Sequence, residues 1–214
     1  MSETGQTGQP DKQSPWVNWA VMGVIVLAVY LIFNFRPFDG FGRGEHPAVG
    51  HLLPLVELKG LTGTDETVTR DDLKGRVVLI NFWATWCGPC RDELPQIAEL
   101  HKGFHGLPDV KVLAVSIGPV DSDKEFQDLK NTTADLLSLL KVDLPTYADP
   151  GDLTRKAFEG ISETLGRSGV SGVPTTVVLD RNGIIRGVWV GYDAGSEKRM
   201  QTLIIELMET TPDP

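Results

Sequence analysis

The sequence predicts an α/β domain, a central mixed sheet flanked by helices, preceded by a helix that crosses a membrane. Three observations predict it. Short apolar runs rich in β-branched residues alternate with stretches whose apolar residues recur at helical spacing. Asn182-Gly183 stands between two strand-like segments, the strongest short signal for a β-hairpin. Trp16 to Phe35 carries no charge at all.

In chain order, residues 1–15 are polar and aperiodic and predict a disordered tail. Residues 16–35, at a rise of ~1.5 Å each, would span roughly 30 Å, about one hydrocarbon core. Trp16, Trp19, Phe33 and Phe35 lie near its ends, where aromatic rings favour the membrane interface. No small-residue cleavage site follows, so an uncleaved anchor is expected rather than a removed signal peptide. Lys12 and the α-amine before the span and Arg36 and Arg43 after it leave the charge bias nearly balanced or slightly in favour of a cytoplasmic C-terminus, and this signal alone does not place the domain. Residues 36–50, rich in Gly and Pro, predict a linker, and residues 51–210 the folded domain.

Within the domain, "LPLVELKG" and "ETVTRDDLKG" predict a short hairpin, and Arg76 to Trp83, apolar nearly throughout, a central buried strand. A helix should start near Pro89 and bury Leu94, Ile97, Ala98 and Leu100. "VKVLAVSIG", Val110 to Gly118, predicts a second buried strand. Phe126, Leu129, Leu136, Leu137 and Leu140 then mark a helix, capped from Asp121 to Asp123. Leu153 to Arg167 is a weaker helical stretch interrupted by Gly160. "TTVVLDRNGIIRGVWVGYD" gives the hairpin, and Ser196 to Met208 a closing amphipathic helix.

Function turns on the chain's two cysteines. The composition, 41% hydrophobic and 23% charged with a formal net charge of -9, is globular and offers nucleic acid no basic surface. Two cysteines in 214 residues build no disulfide scaffold, and a bridge between Cys87 and Cys90 closes too small a loop to act as a staple. A zinc clamp would recruit His101 and His105, yet on one helix Cys90 and His101 stand ~16 Å apart, too far to share an ion. Zinc content of the reduced protein discriminates this alternative. In the redox alternative, Pro89 occupies the first helical turn and Cys87 the helix N-terminus, where unpaired N–H groups and the dipole favour a thiolate. Cys90, one turn further in, would be more buried and suited to resolve a mixed disulfide.

"NFWATWCGPCRDELP" resembles the active-site signature of thioredoxin-fold proteins, and "DDLKGRVVLINFWATWCGPCRDELPQI" resembles their TlpA/ResA-like membrane-anchored branch, which is related to redoxins and AhpC/TSA proteins. A second stretch, "GVSGVPTTVVLDRNG", Gly169 to Gly183, is similar to the family's cis-proline loop and hairpin. The resemblance spans roughly Leu52 to Met208. It implies a thioredoxin-like fold, a redox-active disulfide between Cys87 as nucleophile and Cys90 as resolving thiol, and a cis Val173-Pro174 bond facing them. Such a turn would free the Val173 backbone to pair with an extended client segment. Trp86, Gly88, Pro89, Val173 and Thr175 would surround that client.

General thioredoxins carry a buried aspartate where this chain has Asn81, which cannot titrate. The TlpA/ResA-like branch instead has a glutamate at the position of Glu93, on the same helical face as Cys90. A partly buried Glu93 would have a raised pKa and exchange a proton with Cys90; the alternative is an exposed glutamate favoured by the helix dipole. Trp86 is expected as an apolar collar beside the exposed sulfur, Trp83 as core, and Pro95 as a helix kink.

The resemblance implies no cofactor and no metal. It implies clients with disulfides, apocytochrome c among them, a membrane thiol as electron donor, and anchoring through residues 16–35 in a bacterial inner membrane with the domain extracytoplasmic. Gly88-Pro89 matches the dipeptide of reducing thioredoxins, which favours reduction over oxidation or isomerisation of clients. A thiol peroxidase would need P-x-x-x-T-x-x-C, and no proline stands at that place before Cys87. Residues 158–168 and the helix from Lys124 to Leu140 read as extra length against the family.

Overall fold

The computed structural model describes residues 46–164 and 172–210. The expected tail, the membrane segment, residues 36–45 of the linker and part of the 158–168 stretch lie outside the described residues. Among the described residues no helix is long and apolar enough to cross a membrane.

Seven strands form one mixed sheet: β1 (Glu57–Thr62), β2 (Thr67–Thr69), β3 (Val77–Trp83), β4 (Val110–Ser116), β5 (Thr146–Ala148), β6 (Thr175–Leu179) and β7 (Ile185–Val190), in the spatial order β2-β1-β5-β4-β3-β6-β7. Four α-helices are described: α1 (Gly88–Phe104), α2 (Asp123–Leu140), α3 (Leu153–Thr164) and α4 (Ser196–Glu209). Strand β3 lies between β4, parallel, and β6, antiparallel, and all seven of its residues are buried. Its apolar run needs two covered faces, and it has them. Val77, Leu79 and Trp83 pack under α1 and α4, whereas Val78, Ile80 and Phe82 share the opposite core with Leu53, Val56 and Phe158 of α3.

The β6–β7 turn follows its chemistry. Gly183 takes the left-handed φ of +79°, and the Asp180 carboxylate accepts the N–H groups of Asn182 and Ile184. Helix α2 starts at a capping box: Ser122 Oγ accepts Glu125 N–H, and Glu125 Oε2 accepts Ser122 N–H. The cap is thus Ser122, not an aspartate, because the glutamate three residues on completes the pair.

Four further expectations change. Strand β5 is an addition to the expected elements; three residues are too short for any period, and only their place between β1 and β4 makes them a strand. Gly160 does not interrupt α3, which Phe158 fastens to the core at 1% exposure. Phe158 is therefore structural, not an optional extension. Domain packing reaches back into the expected linker, where Ala48 is fully buried and the Gly50 N–H bonds Ile185.

Candidate active site

Strand β3 delivers the chain to the cysteines. After Trp83 a short turn leads to Cys87, whose extended backbone makes it the N-cap of α1, with Pro89 in the first turn. Cys87 and Cys90 form a disulfide. The Cys90 N–H, one of the helix's free donors, points at Cys87 Sγ over 3.2 Å. Arg91, on the same turn, donates through Nε and a terminal nitrogen to Thr85 O and ties the preceding turn to the helix. Cys90 is fully buried as expected. Cys87 is less exposed than expected, at 5%, because a second loop covers it.

That loop precedes β6. Val173-Pro174 is cis, and the Val173 carbonyl oxygen lies 3.5 Å from Cys87 Sγ. A disulfide sulfur has no proton, so this is a contact; a Cys87 thiol could donate there. The Gly191 N–H donates to Pro174 O and fastens the loop to the end of β7. Thr175 differs from its expected place against the client: its side chain is buried, and its hydroxyl donates back to Gly172 O over 2.7 Å. It braces the loop. Gly88 and Pro89 are exposed, as is Trp86, at 72%, while Trp83 is core.

Glu93 lies one turn after Cys90 and is only 2% exposed, deeper than the partial burial expected. Its Oε2 accepts from Asn81 Nδ2 at 2.8 Å, and Oε1 has no partner among the described residues. Burial disfavours the carboxylate and pushes its pKa up to about 7, against a smaller opposing effect of the Asn81 hydrogen bond. A carboxyl that titrates there can give or take a proton near neutral pH. Helix α1 continues past Pro95 to Phe104, so the proline does not end it.

A groove beside Trp86 runs over Ile117, Val120, Asp121, Asp152 and Lys156. Sequence reasoning missed it, since these residues follow two strands far apart in the chain; their signal is that both follow parallel strands. His101 and His105 lie at the other end of α1, with ring centroids 5.4 Å apart. His101 is half-buried rather than exposed, and burial pulls its pKa down. Among the described residues no group of three or more His, Cys, Asp or Glu could hold a metal ion.

Residues 49–188 match the model of the AhpC/TSA family. The chain is 30% identical over 184 residues to the thiol-disulfide oxidoreductase ResA of Geobacillus thermodenitrificans, covering 84% of this chain and 90% of that protein. It is 31% identical over 142 residues to the thioredoxin-like protein YneN of Bacillus subtilis, covering 66% and 71%. Among solved structures, a Chlorobium tepidum protein assigned as a thiol:disulfide interchange protein of the DsbE kind superposes with a TM-score of 0.54 at 26% identity, covering 75% of this chain and 97% of that one. A secreted thiol-disulfide isomerase from Corynebacterium glutamicum, 22% identical with a TM-score of 0.58 and covering 81% and 95%, shares the fold.

Proposed function

The chain belongs to the AhpC/TSA family and is a thiol-disulfide oxidoreductase of the ResA/DsbE type, and from that premise we propose that it is a membrane-anchored reductant of disulfides in extracytoplasmic proteins, of the cytochrome c maturation type. The observation that carries the chemistry is the Cys87–Cys90 disulfide at the N-terminus of α1, with the Val173 carbonyl on one side and the buried Glu93 carboxyl one turn beyond.

In the reduced protein the Cys90 N–H and the helix dipole stabilise a Cys87 thiolate. That thiolate attacks one sulfur of a client disulfide; a mixed disulfide forms, and the client's other sulfur leaves as a thiolate. Cys90 then loses its proton toward Glu93 and attacks Cys87 Sγ, releasing the second client thiol and leaving the intramolecular disulfide. Two electrons pass to the client. The two protons of the cysteine thiols end on the client's sulfurs, the second by way of Glu93. A client segment extended along the loop can pair with the Val173 backbone while Trp86, Gly88 and Pro89 pack against it.

The uncharged residues 16–35 support anchoring, and the extracytoplasmic side and a membrane thiol as electron donor are what the resemblance to the TlpA/ResA-like branch implies. The poise is tested by equilibrating the full chain in detergent against thiol buffers and reading both cysteines by alkylation. A reduction potential below about -240 mV supports a reductant; one above about -180 mV makes it an oxidase or isomerase. A reporter fused to the C-terminus that proved cytoplasmic would overturn the placement.

A further inference from the structure

Glu93 is held by a single side chain, and that side chain is aimed from the sheet. Asn81 Nδ2 donates one hydrogen to Glu93 Oε2 and the other to Thr176 Oγ1, each over 2.8 Å. Thr176 stands directly opposite Asn81 in the β3–β6 ladder, so strand pairing, not helix α1, fixes the hydroxyl that orients the amide. All three residues are buried, at 0%, 1% and 2% exposure for Asn81, Thr176 and Glu93. We propose that Asn81, oriented by Thr176, is a positioning residue that sets the protonation state of Glu93 and through it the proton step at Cys90. The proposal rests on Glu93 as the proton partner of Cys90.

The physical reason is the depth of the site, where Glu93 is almost wholly removed from the surface. In such surroundings a hydrogen bond weighs more than it would in water, and among the described residues the Asn81 N–H is the one that reaches the Glu93 carboxyl. Without it the acid holds its proton to higher pH. Burial raises the Glu93 pKa and the Asn81 bond opposes it. On α1, Arg91 and Asp92 are exposed, and the buried Cys90 stands one turn before Glu93. Gln96, the next position on that side, is bonded to Tyr192.

An amide suits this place better than an apolar residue. It donates one hydrogen to each of two oxygens. A carboxylic acid protonated on one oxygen still accepts at the other, so Asn81 keeps both partners whether Glu93 is ionised or neutral.

The test uses Asn81→Leu and Asn81→Ala in the full chain, each alone and combined with Glu93→Gln. Two quantities are followed: the pH profile of thiol–disulfide exchange, and the titration of the Glu93 carboxyl carbon by NMR in the oxidised protein, which needs no turnover. Loss of a hydrogen bond to a charged group should move the Glu93 midpoint up by about one to two pH units, and the rate profile with it. In the Glu93→Gln background the Asn81 substitutions should not move the profile. Thr176→Val, which keeps side-chain volume, should shift the midpoint the same way by less, and decides the matter if both Asn81 variants fail to fold. An unmoved carboxyl midpoint in a folded Asn81 variant overturns the proposal, as does a profile shift equally large in the Glu93→Gln background. If Glu93→Gln alone leaves the rate profile unchanged, the underlying reading fails instead, and the carboxyl titration still decides whether Asn81 controls Glu93.

Discussion

Replacing Glu93 with glutamine should flatten the pH dependence of stability in the oxidised protein. An unperturbed glutamate titrates at 4.5, and burial moves Glu93 to about 7. Between those values the folded chain holds a proton that the unfolded chain has already released. The contribution to stability is therefore fully present below pH 4.5 and is lost as pH rises through about 7. A gap of about 2.5 pH units at about 1.4 kcal/mol each amounts to about 3 kcal/mol. At 2% exposure the carboxyl has no solvent screening to reduce that figure much. The substituted glutamine stays neutral throughout and can still accept from Asn81. Urea unfolding of both proteins from about pH 4.5 to about pH 8, with the disulfide intact, should give stabilities whose difference changes by about that amount. Groups such as His101 titrate in both proteins and cancel. Parallel curves would refute the reasoning, because they would mean that Glu93 ionises in the folded chain as readily as in water.

Asp149→Ala should lower stability by about 1–2 kcal/mol in the same assay, since the buried Asp149 carboxylate accepts the N–H groups of Thr154 and Arg155 at the start of α3. Gly60→Ala should cost about 1–3 kcal/mol, because a Cβ there would lie 2.5 Å from the Thr64 backbone oxygen, and backbone must move. Trp86→Ala should raise KM for a protein client about three- to tenfold and leave exchange with a small disulfide unchanged, as expected of an exposed aromatic that packs on the client and not on the sulfurs.

Much of this was legible locally. Asn182-Gly183 announced its hairpin, Cys87-Gly88-Pro89-Cys90 its helix start, and the apolar run of β3 its burial on both faces. Ser122 with Glu125 was also legible, as a capping box overshadowed by neighbouring aspartates. What stayed hidden depends on partners distant in the chain. Strand β5 exists because β1 and β4 flank it. The low exposure of Cys87 comes from the Val173 loop, 86 residues away, and the Asn81–Thr176 bond joins residues 95 apart. Both Asn81 and Thr176 read as ordinary strand residues until the β3–β6 register puts them face to face.

The central claim is that Cys87 is the attacking sulfur of a reactive couple. Reduced full-length protein should be treated with substoichiometric iodoacetamide across a pH series, and the label on each cysteine quantified by mass spectrometry. Cys87 should take nearly all of the label, with a midpoint below the value of about 8.5 for a free cysteine. Equal labelling of the two cysteines, or preference for Cys90, would contradict the account.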